Sequence, residues 1–394
     1  MVTKPHRPPA ARSRRRPWPS AVACLALLAF AHFAAFASGP GPALPNHGIT
    51  TETYSVQRVP WSVHVIRIPR DRSELELVTT LGEGSRIGLN PLTRQVRSVP
   101  PAVGIPLAAI NGDFYKLEGD PFAGDPRGLL IRGGELISAP IDRSCFWLNA
   151  AGAPQIGVVA SDLSVIWPSG AKTPLGLNEE RGGGQAVLYT AAVGDSTHTS
   201  GGIEFILEAA NPKKWLPLKP GEVLTARIRE IRRGGDAPLT PNTLVVSLSR
   251  LAAGADSASV GDIFRVSTAT RPDLKGARTA IGGGPALVHD SKAQPGPATK
   301  SHERHPRSAL GWNAKEWLFV QVDGRQPGLS VGMTLQELAD FLLTLKCEEA
   351  INLDGGGSSE IWLNGRILNS PCYGHERSTA SALVVVEKKK DDLP

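Results

Sequence analysis

One stretch of this chain has the spacing of an amphipathic helix, and what surrounds it breaks into short apolar runs punctuated by glycine and proline. Thr334 with Glu337 three residues on predicts a capping box, and Leu335, Leu338, Ala339, Leu342 and Leu343 fall on one helical face. Strand-like runs flank it at Trp317–Val322 and Ala350–Leu353, so this part reads strand–helix–strand. Elsewhere Trp61–Ile68 and Leu75–Val78 alternate, and Leu244–Leu248 lies between turn residues. Two hairpins are expected, one turning at Arg132-Gly133-Gly134 between 129–131 and 135–138, the other at Asn364-Gly365 between 360–363 and 366–368. With 42 glycines and 33 prolines in 394 residues, the chain has turns for many short strands without the period of collagen. The expected fold class is α+β, with strand-rich mixed sheets and few helices.

The formal charge is +6, and its position decides its meaning. Lys4, Arg7, Arg12, Arg14, Arg15 and Arg16 precede any acid and account for the whole excess, which leaves a neutral body with no basic stripe for a phosphate backbone. A nucleic-acid partner is therefore set aside. The apolar run Ala21–Ala37 comes next and then Ser-Gly-Pro-Gly-Pro, the pattern of a secretory signal, with Ala35-Phe36-Ala37 before a cut at Ser38. At 17 residues the run also reaches the short limit of a spanning anchor, the one route by which a membrane would be a partner. On this reading the chain divides into a signal or anchor (1–37), a Pro/Gly-rich linker (38–50), one domain (51–387) and a charged tail (388–394). The protein is expected to be secreted or held in the cell envelope. Export permits disulfides. Cys347 and Cys372 flank the most glycine-rich turn of the C-terminal part and are expected to pair, the alternative being that they and Cys145 are three separate thiols.

Four segments share one build, in which an apolar strand runs into a glycine-dense turn carrying acid, amide, hydroxyl or Arg side chains. They are Leu107–Tyr115 (LAAINGDFY), Ala280–Pro285 (AIGGGP), His305–Trp312 (HPRSALGW) and Ile351–Ser359 (INLDGGGSS). Glycines at a strand end let backbone N–H groups approach an anion closely, and the serines add hydroxyl donors. Each alone reads as a tight turn. Four together, with Asn111, Asp113, Arg307 and Asp354 embedded, point to a shared site.

In this order NGDFY, IGGGP, RSALGW, VDGRQPG with the capped helix, LDGGGSS and the closing GHER before ALVVV resemble the phosphodiester glycosidase family, over roughly 105–387 and most strongly 280–385. The resemblance implies a mixed α/β domain with its site at glycine-rich strand ends. It also implies hydrolysis of a sugar-1-phosphodiester to free sugar and a phosphomonoester, here on an envelope or extracellular glycopolymer. A phosphate is a good leaving group, so charge stabilisation outweighs acid assistance. Arg307 is then the candidate phosphate ligand, its guanidinium fork matching two phosphate oxygens. Asn111, Gly283, Gly284, Gly355, Gly356, Ser358 and Glu376 are the further substrate-binding candidates. Asp354 and Asp113 are the candidate catalytic carboxylates, as base for water or as nucleophile at the anomeric carbon. Plainer readings exist for each: an ion-pair partner for Arg307, a self-capped turn for Asp354, an Asx turn for Asp113, and a D-G turn for Asp323 and Arg325.

No metal site is expected from spacing. His302-Glu303-Arg304-His305 is one residue short of H-E-x-x-H and precedes Pro306. Asn111-Gly112-Asp113 opens like a calcium loop but continues with Tyr115 and Lys116, and only the nearby acids Glu118, Asp120 and Asp125 keep Ca²⁺ open as a cofactor. Two rival functions remain, a metal-assisted phosphodiesterase that breaks P–O and a non-catalytic envelope protein that binds anionic glycans. Sugar selection is expected in loops 116–128 and 290–306.

Overall fold

The computed structural model describes residues 47–389 except 57–58, 120, 212–214, 251–253 and 295–302. The signal or anchor, most of the linker, Asp120, His302 and the end of the charged tail lie outside the described residues. The described residues form one compact unit. It is strand-rich, with two α-helices, Leu92–Arg97 (α1) and Leu335–Thr344 (α2), as the expected class requires.

Three sheets position the site. The largest of them orders Thr50–Val56, Trp61–Pro69, Glu316–Val322, Arg307–Trp312, Glu349–Asn352, Ala286–His289 and Lys292–Ala293. A second places Ile105–Asn111 between Ile361–Leu363 and Ala382–Glu387, and a third places Thr279–Gly282 between Arg143–Leu148 and Leu130–Arg132. Alternation decides what each face of the first sheet meets. Val63, Val65, Leu318, Val320 and Val322 pack under α2 with Leu335, Leu338 and Leu342. Ile66, Ile68, Leu310, Phe319 and Ile351 point the other way, into a core shared with Ile110 and Leu383 of the second sheet and Phe146 and Ile281 of the third.

Helix α2 is held as its sequence predicts. The Thr334 hydroxyl accepts from the Glu337 N–H (3.1 Å), and the Glu337 carboxylate accepts from the Thr334 N–H (2.9 Å). The helix links Glu316–Val322 to Glu349–Asn352, with Arg307–Trp312 lying between those two strands. Both expected hairpins form. Gly133 and Gly134 have φ +58° and +89°, and Asn364 and Gly365 have +45° and +96°, the left-handed pairs that a two-residue hairpin turn needs.

Strands within 164–267 form an eight-stranded sheet that packs one face with Cys145, Trp147 and Ala280 of the third sheet, while Val187, Tyr189, Ile206 and Val245 reach the core shared by the other sheets. Trp167 packs edge-on to Phe205 there, with ring centroids 5.1 Å apart. The buried Glu204 in this sheet is satisfied by the hydroxyls of Thr197, Thr199 and Ser247 and by the Ala237 N–H, a structural arrangement with no oxygen left for chemistry.

The expected disulfide is not formed. Cys145, Cys347 and Cys372 are free thiols. Cys347 is packed beneath α2 against Gly311, whose position would bring an added Cβ within 2.7 Å of the sulfur, whereas Cys372 lies 3.9 Å from the Gly356 carbonyl in the site loop. Burial pushes the Cys347 thiol up to about 12.

The capping box gives a direct check on α2. Thr334→Ala is expected to cost about 1 kcal/mol, seen as a lower urea midpoint with unchanged slope; an unshifted midpoint would contradict the role given to this cap.

Candidate active site

The site lies where three strand ends meet. Ile105–Asn111 continues into Gly112-Asp113, Thr279–Gly282 into Gly283-Gly284, and Glu349–Asn352 into Leu353–Gly357. Asn111 ties the first end to the third. Its side-chain N–H donates to the Asp354 carbonyl (2.7 Å), while its Oδ1 accepts from the Ser308 hydroxyl (2.6 Å) and the Glu360 N–H (3.1 Å). The Asp354 N–H returns to the Gly112 carbonyl (3.0 Å). Asn352 ties the second end to the third, donating from its amide to the Gly284 carbonyl (3.0 Å) and accepting the Gly284 N–H at its own carbonyl (2.7 Å).

This junction places two carboxyl groups in different surroundings. Asp113 is 3% exposed, and neither of its oxygens has a hydrogen bond of normal geometry among the described residues. Gly128 and Gly282 form its walls, where an added Cβ would come within 2.4 and 2.0 Å of Oδ2. Burial pushes Asp113 up to about 7, the Phe114 N–H and Arg143 pull the other way, and the Asp354 charge adds to the rise. Asp354 is partly open to solvent. Burial raises it to about 6, opposed by the Ser358 hydroxyl, the Gly355 N–H (2.9 Å) and the charges of Arg377 and Arg143. Asp354 therefore ionises first, and Asp113 keeps its proton closer to neutrality.

Beside the carboxyls stands a group of guanidiniums. Arg143 lies 4.8 Å above the Phe114 ring and Arg377 5.9 Å from the Tyr115 ring. The Tyr115 hydroxyl donates to the Ser378 carbonyl (2.8 Å) and sits 3.4 Å from Ser358 Oγ, so a hydroxyl pair backs Asp354. A cavity of about 660 Å³ opens here, with Phe114, Arg143, Gly283, Gly284, His305 and Arg307 in its wall. That volume suits a sugar-sized ligand.

The sequence-predicted residues divide by what they touch. Gly283, Gly284 and Arg307 line the cavity, and Asp113 and Asp354 are both within the electrostatic reach of Arg143, another residue of its wall. Asn111 is fully buried and spends its side chain on the tie between strand ends. Ser358 is buried as well and supports Asp354 from behind. The anion cradle expected from Gly355 and Gly356 is not made by their N–H groups, which donate to Asp354 Oδ1 (2.9 Å) and to the Pro306 carbonyl (2.8 Å). Glu376 points elsewhere, accepting the Thr93 N–H (2.8 Å) in the first turn of α1. Asp323 is a structural turn residue held by His64 (3.1 Å) and the Ser370 N–H (3.1 Å). The acids expected to open a calcium loop diverge: Asp113 is enclosed by glycines, while Asp125 is pushed up to about 8 by its own burial and by Glu179. Among the described residues, the group able to converge on one ion is His289, Asp290 and Glu349, largely exposed and formed without any residue of 111–125. Arg143 and Tyr115 are the residues that sequence reasoning missed. Arg143 begins an ordinary strand, and Tyr115 was weighed only as a position in a metal loop.

Residues 225–386 match the family model of the phosphodiester glycosidases. This stretch is a phosphodiester glycosidase domain. Arg307, Asp354 and Arg377 fall inside it, and Asp113 and Arg143 precede it. The prophage-derived protein YomE of Bacillus subtilis (strain 168) is 35% identical over 115 residues, 28% of this chain and 18% of its own length. The bovine N-acetylglucosamine-1-phosphodiester alpha-N-acetylglucosaminidase is 41% identical over 66 residues, 16% of this chain and 12% of its own. The chain thus spans less than a fifth of either relative. Among solved structures, a hypothetical protein from Synechocystis superposes with a TM-score of 0.68 at 19% identity, over 86% of this chain and 61% of that one. A protein from Burkholderia pseudomallei K96243 does so at 0.62 and 21%, over 83% and 74%. Both share the fold of this phosphodiester glycosidase domain and the sheets around it.

The buried carboxyl has a stability signature. Because folding raises the Asp113 pKa from near 4 to about 7, its penalty is absent below pH 4, grows between the two values and is complete above them. Asp113→Asn is expected to raise the melting temperature at pH 8 and leave it nearly unchanged at pH 4. An equal shift at both pH values would contradict the burial of a titrating carboxyl there.

Proposed function

We propose that this chain is an exported hydrolase that cleaves the glycosidic C–O bond of a sugar-1-phosphodiester in an envelope or extracellular glycopolymer, releasing free sugar and a phosphomonoester. The observation that carries this reading is the junction of Asp113 and Asp354, two carboxyls with separated ionisation beside the charges of Arg143 and Arg377. The phosphodiester glycosidase domain and the activity for which the bovine relative is named support the substrate class. The basic start and apolar run at the N-terminus support export.

In the proposed reaction Arg143 and Arg377 offset the charge of the phosphate, which grows as the bond breaks. Asp354, ionised first, supplies the carboxylate at the anomeric carbon, either attacking it or taking a proton from the attacking water. Asp113 gives its proton to the oxygen that leaves with phosphorus. In the water route the C1–O bond breaks as a bond from C1 to the water oxygen forms, and solvent exchange restores both carboxyls. In the attack route a C1–carboxylate ester of Asp354 forms as C1–O breaks, and water, giving a proton to Asp113, then replaces the ester. Activity then requires Asp354 ionised and Asp113 protonated, which confines the optimum to a narrow band.

Purified protein from Ser38 onward, a panel of sugar-1-phosphodiesters and ¹⁸O-labelled water test the reading. Label is expected on the sugar, and label on phosphate would move the protein to P–O cleavage. The profile of kcat/KM is expected to rise through pH about 6 and fall through about 7. Asp354→Asn should lower kcat by roughly 10² or more with the fold intact; turnover near wild type in that variant would remove Asp354 from the mechanism.

A further inference from the structure

One buried acceptor in the cavity wall has no donor. Asn352 is 3% exposed, ends the strand Glu349–Asn352 and lines the cavity together with Gly283, Gly284 and Arg143. Its other polar groups are engaged. The main-chain N–H donates to the Pro285 carbonyl (3.0 Å), the main-chain carbonyl accepts the Gly284 N–H (2.7 Å), and the side-chain amide donates to the Gly284 carbonyl (3.0 Å). Oδ1 is buried with no hydrogen bond among the described residues. The amide cannot be turned over to mend this, because Oδ1 would then face the Gly284 carbonyl, acceptor against acceptor. A buried amide oxygen without a donor is costly, so its place in a cavity wall points to a donor that arrives with a ligand.

The chemistry of that donor follows from the atom. An amide oxygen only accepts, so it repels the oxygens of a phosphodiester and takes an O–H or N–H instead. The cavity wall also carries the acids Asp142 and Glu303 against Arg143 and Arg307, two charges of each sign, so it has no excess of positive charge for an anion. Such a wall suits a neutral ligand that both donates and accepts, which describes a sugar ring and not its phosphate. Asp354 follows Asn352 by only two residues, at most about 7 Å along the backbone, a distance on the scale of one pyranose ring. A ring held at Oδ1 therefore keeps its anomeric carbon within reach of the carboxylate.

We propose that Asn352 is a specificity residue: its Oδ1 accepts a hydrogen bond from one hydroxyl or amide N–H of the sugar ring, and the sugar, not the phosphate, lies against the Gly283–Gly284 wall. This inference rests on the glycosidase reading above and adds to it how the substrate is oriented in the site. A sugar that lacks the donor leaves Oδ1 buried and unpaired, so the site rejects it by more than the loss of one contact.

The test uses methyl phosphodiesters of the panel sugar that the wild-type protein hydrolyses fastest, each with one ring substituent replaced by hydrogen. In the wild type, removing the donor that faces Oδ1 is expected to lower kcat/KM at least about tenfold. Asn352→Ala should lower kcat/KM on the parent substrate and no longer distinguish that one analogue, while keeping the other ratios. Asn352→Asp keeps an oxygen acceptor at this position and should retain the discrimination. Wild-type ratios preserved throughout in Asn352→Ala, or the discrimination lost in Asn352→Asp as well, overturns the assignment, since the tie to Gly284 would then be the whole role of the residue. Hydrolysis of no sugar-1-phosphodiester would count against the glycosidase reading instead. Calorimetry with N-acetylglucosamine, glucose and their deoxy analogues then decides the subsite alone. One deoxy sugar bound more weakly than its parent by the wild type but not by Asn352→Ala supports it, and equal ratios in the two proteins, or no binding of any sugar, overturns it.

Discussion

The hydrogen bonds of Asn111 are what the rest of the site depends on. A fully buried side-chain amide engages the Asp354 carbonyl, the Ser308 hydroxyl and the Glu360 N–H, and so joins strand ends from two sheets at one point. Leaving such buried partners unsatisfied costs about 1–3 kcal/mol for each group, so the amide is a strong constraint on where Asp354 sits relative to Asp113. The three sheets share one core through Ile110, Ile281 and Ile351 and cannot slide independently. Glycine-rich ends, flexible by themselves, are thereby fixed.

That fixing makes the carboxyl chemistry possible. A carboxyl walled by Gly128 and Gly282 lacks the donors that would hold it ionised, while Asp354 has an N–H, a hydroxyl and two guanidinium charges in its favour. The separation of the two groups comes from their surroundings and needs no special residue type. It also works against stability, since a buried acid that ionises near neutrality weakens the fold as pH rises.

Much of this was legible in the sequence where the signals are local. Capping residues and helical spacing specify α2, and paired left-handed turn residues specify the two hairpins, because those patterns act over a few residues. The four glycine-dense segments singled out Asp113 and Asp354, and the folded strand ends bring these two close enough for the Asp354 charge to act on Asp113. What could not be read is where buried partners go. Glycine content suggested free N–H groups at Gly355 and Gly356, yet tertiary contacts consume both. Cys347 and Cys372 are close in sequence around a turn, yet one thiol is packed beneath a helix and the other lies in the site loop. Arg143 arrives from a strand far from any of the four segments, and only the assembled sheets bring it to the carboxyls. Arg325 looked like a turn residue and is one, at φ +59°, with its guanidinium beside His305 and over Gly356.

Two carboxyls at one junction are expected to ionise separately, and a carbon-13 NMR titration of carboxyl-labelled aspartates measures this directly. One resonance titrating near pH 6 should vanish in Asp354→Asn, and another titrating near 7 should vanish in Asp113→Asn. The Asp113 resonance should also titrate at lower pH once the Asp354 charge is gone, since that charge helps to raise it. If both groups titrated near pH 4, as ordinary exposed aspartates do, the buried pair and the chemistry assigned to it would be wrong.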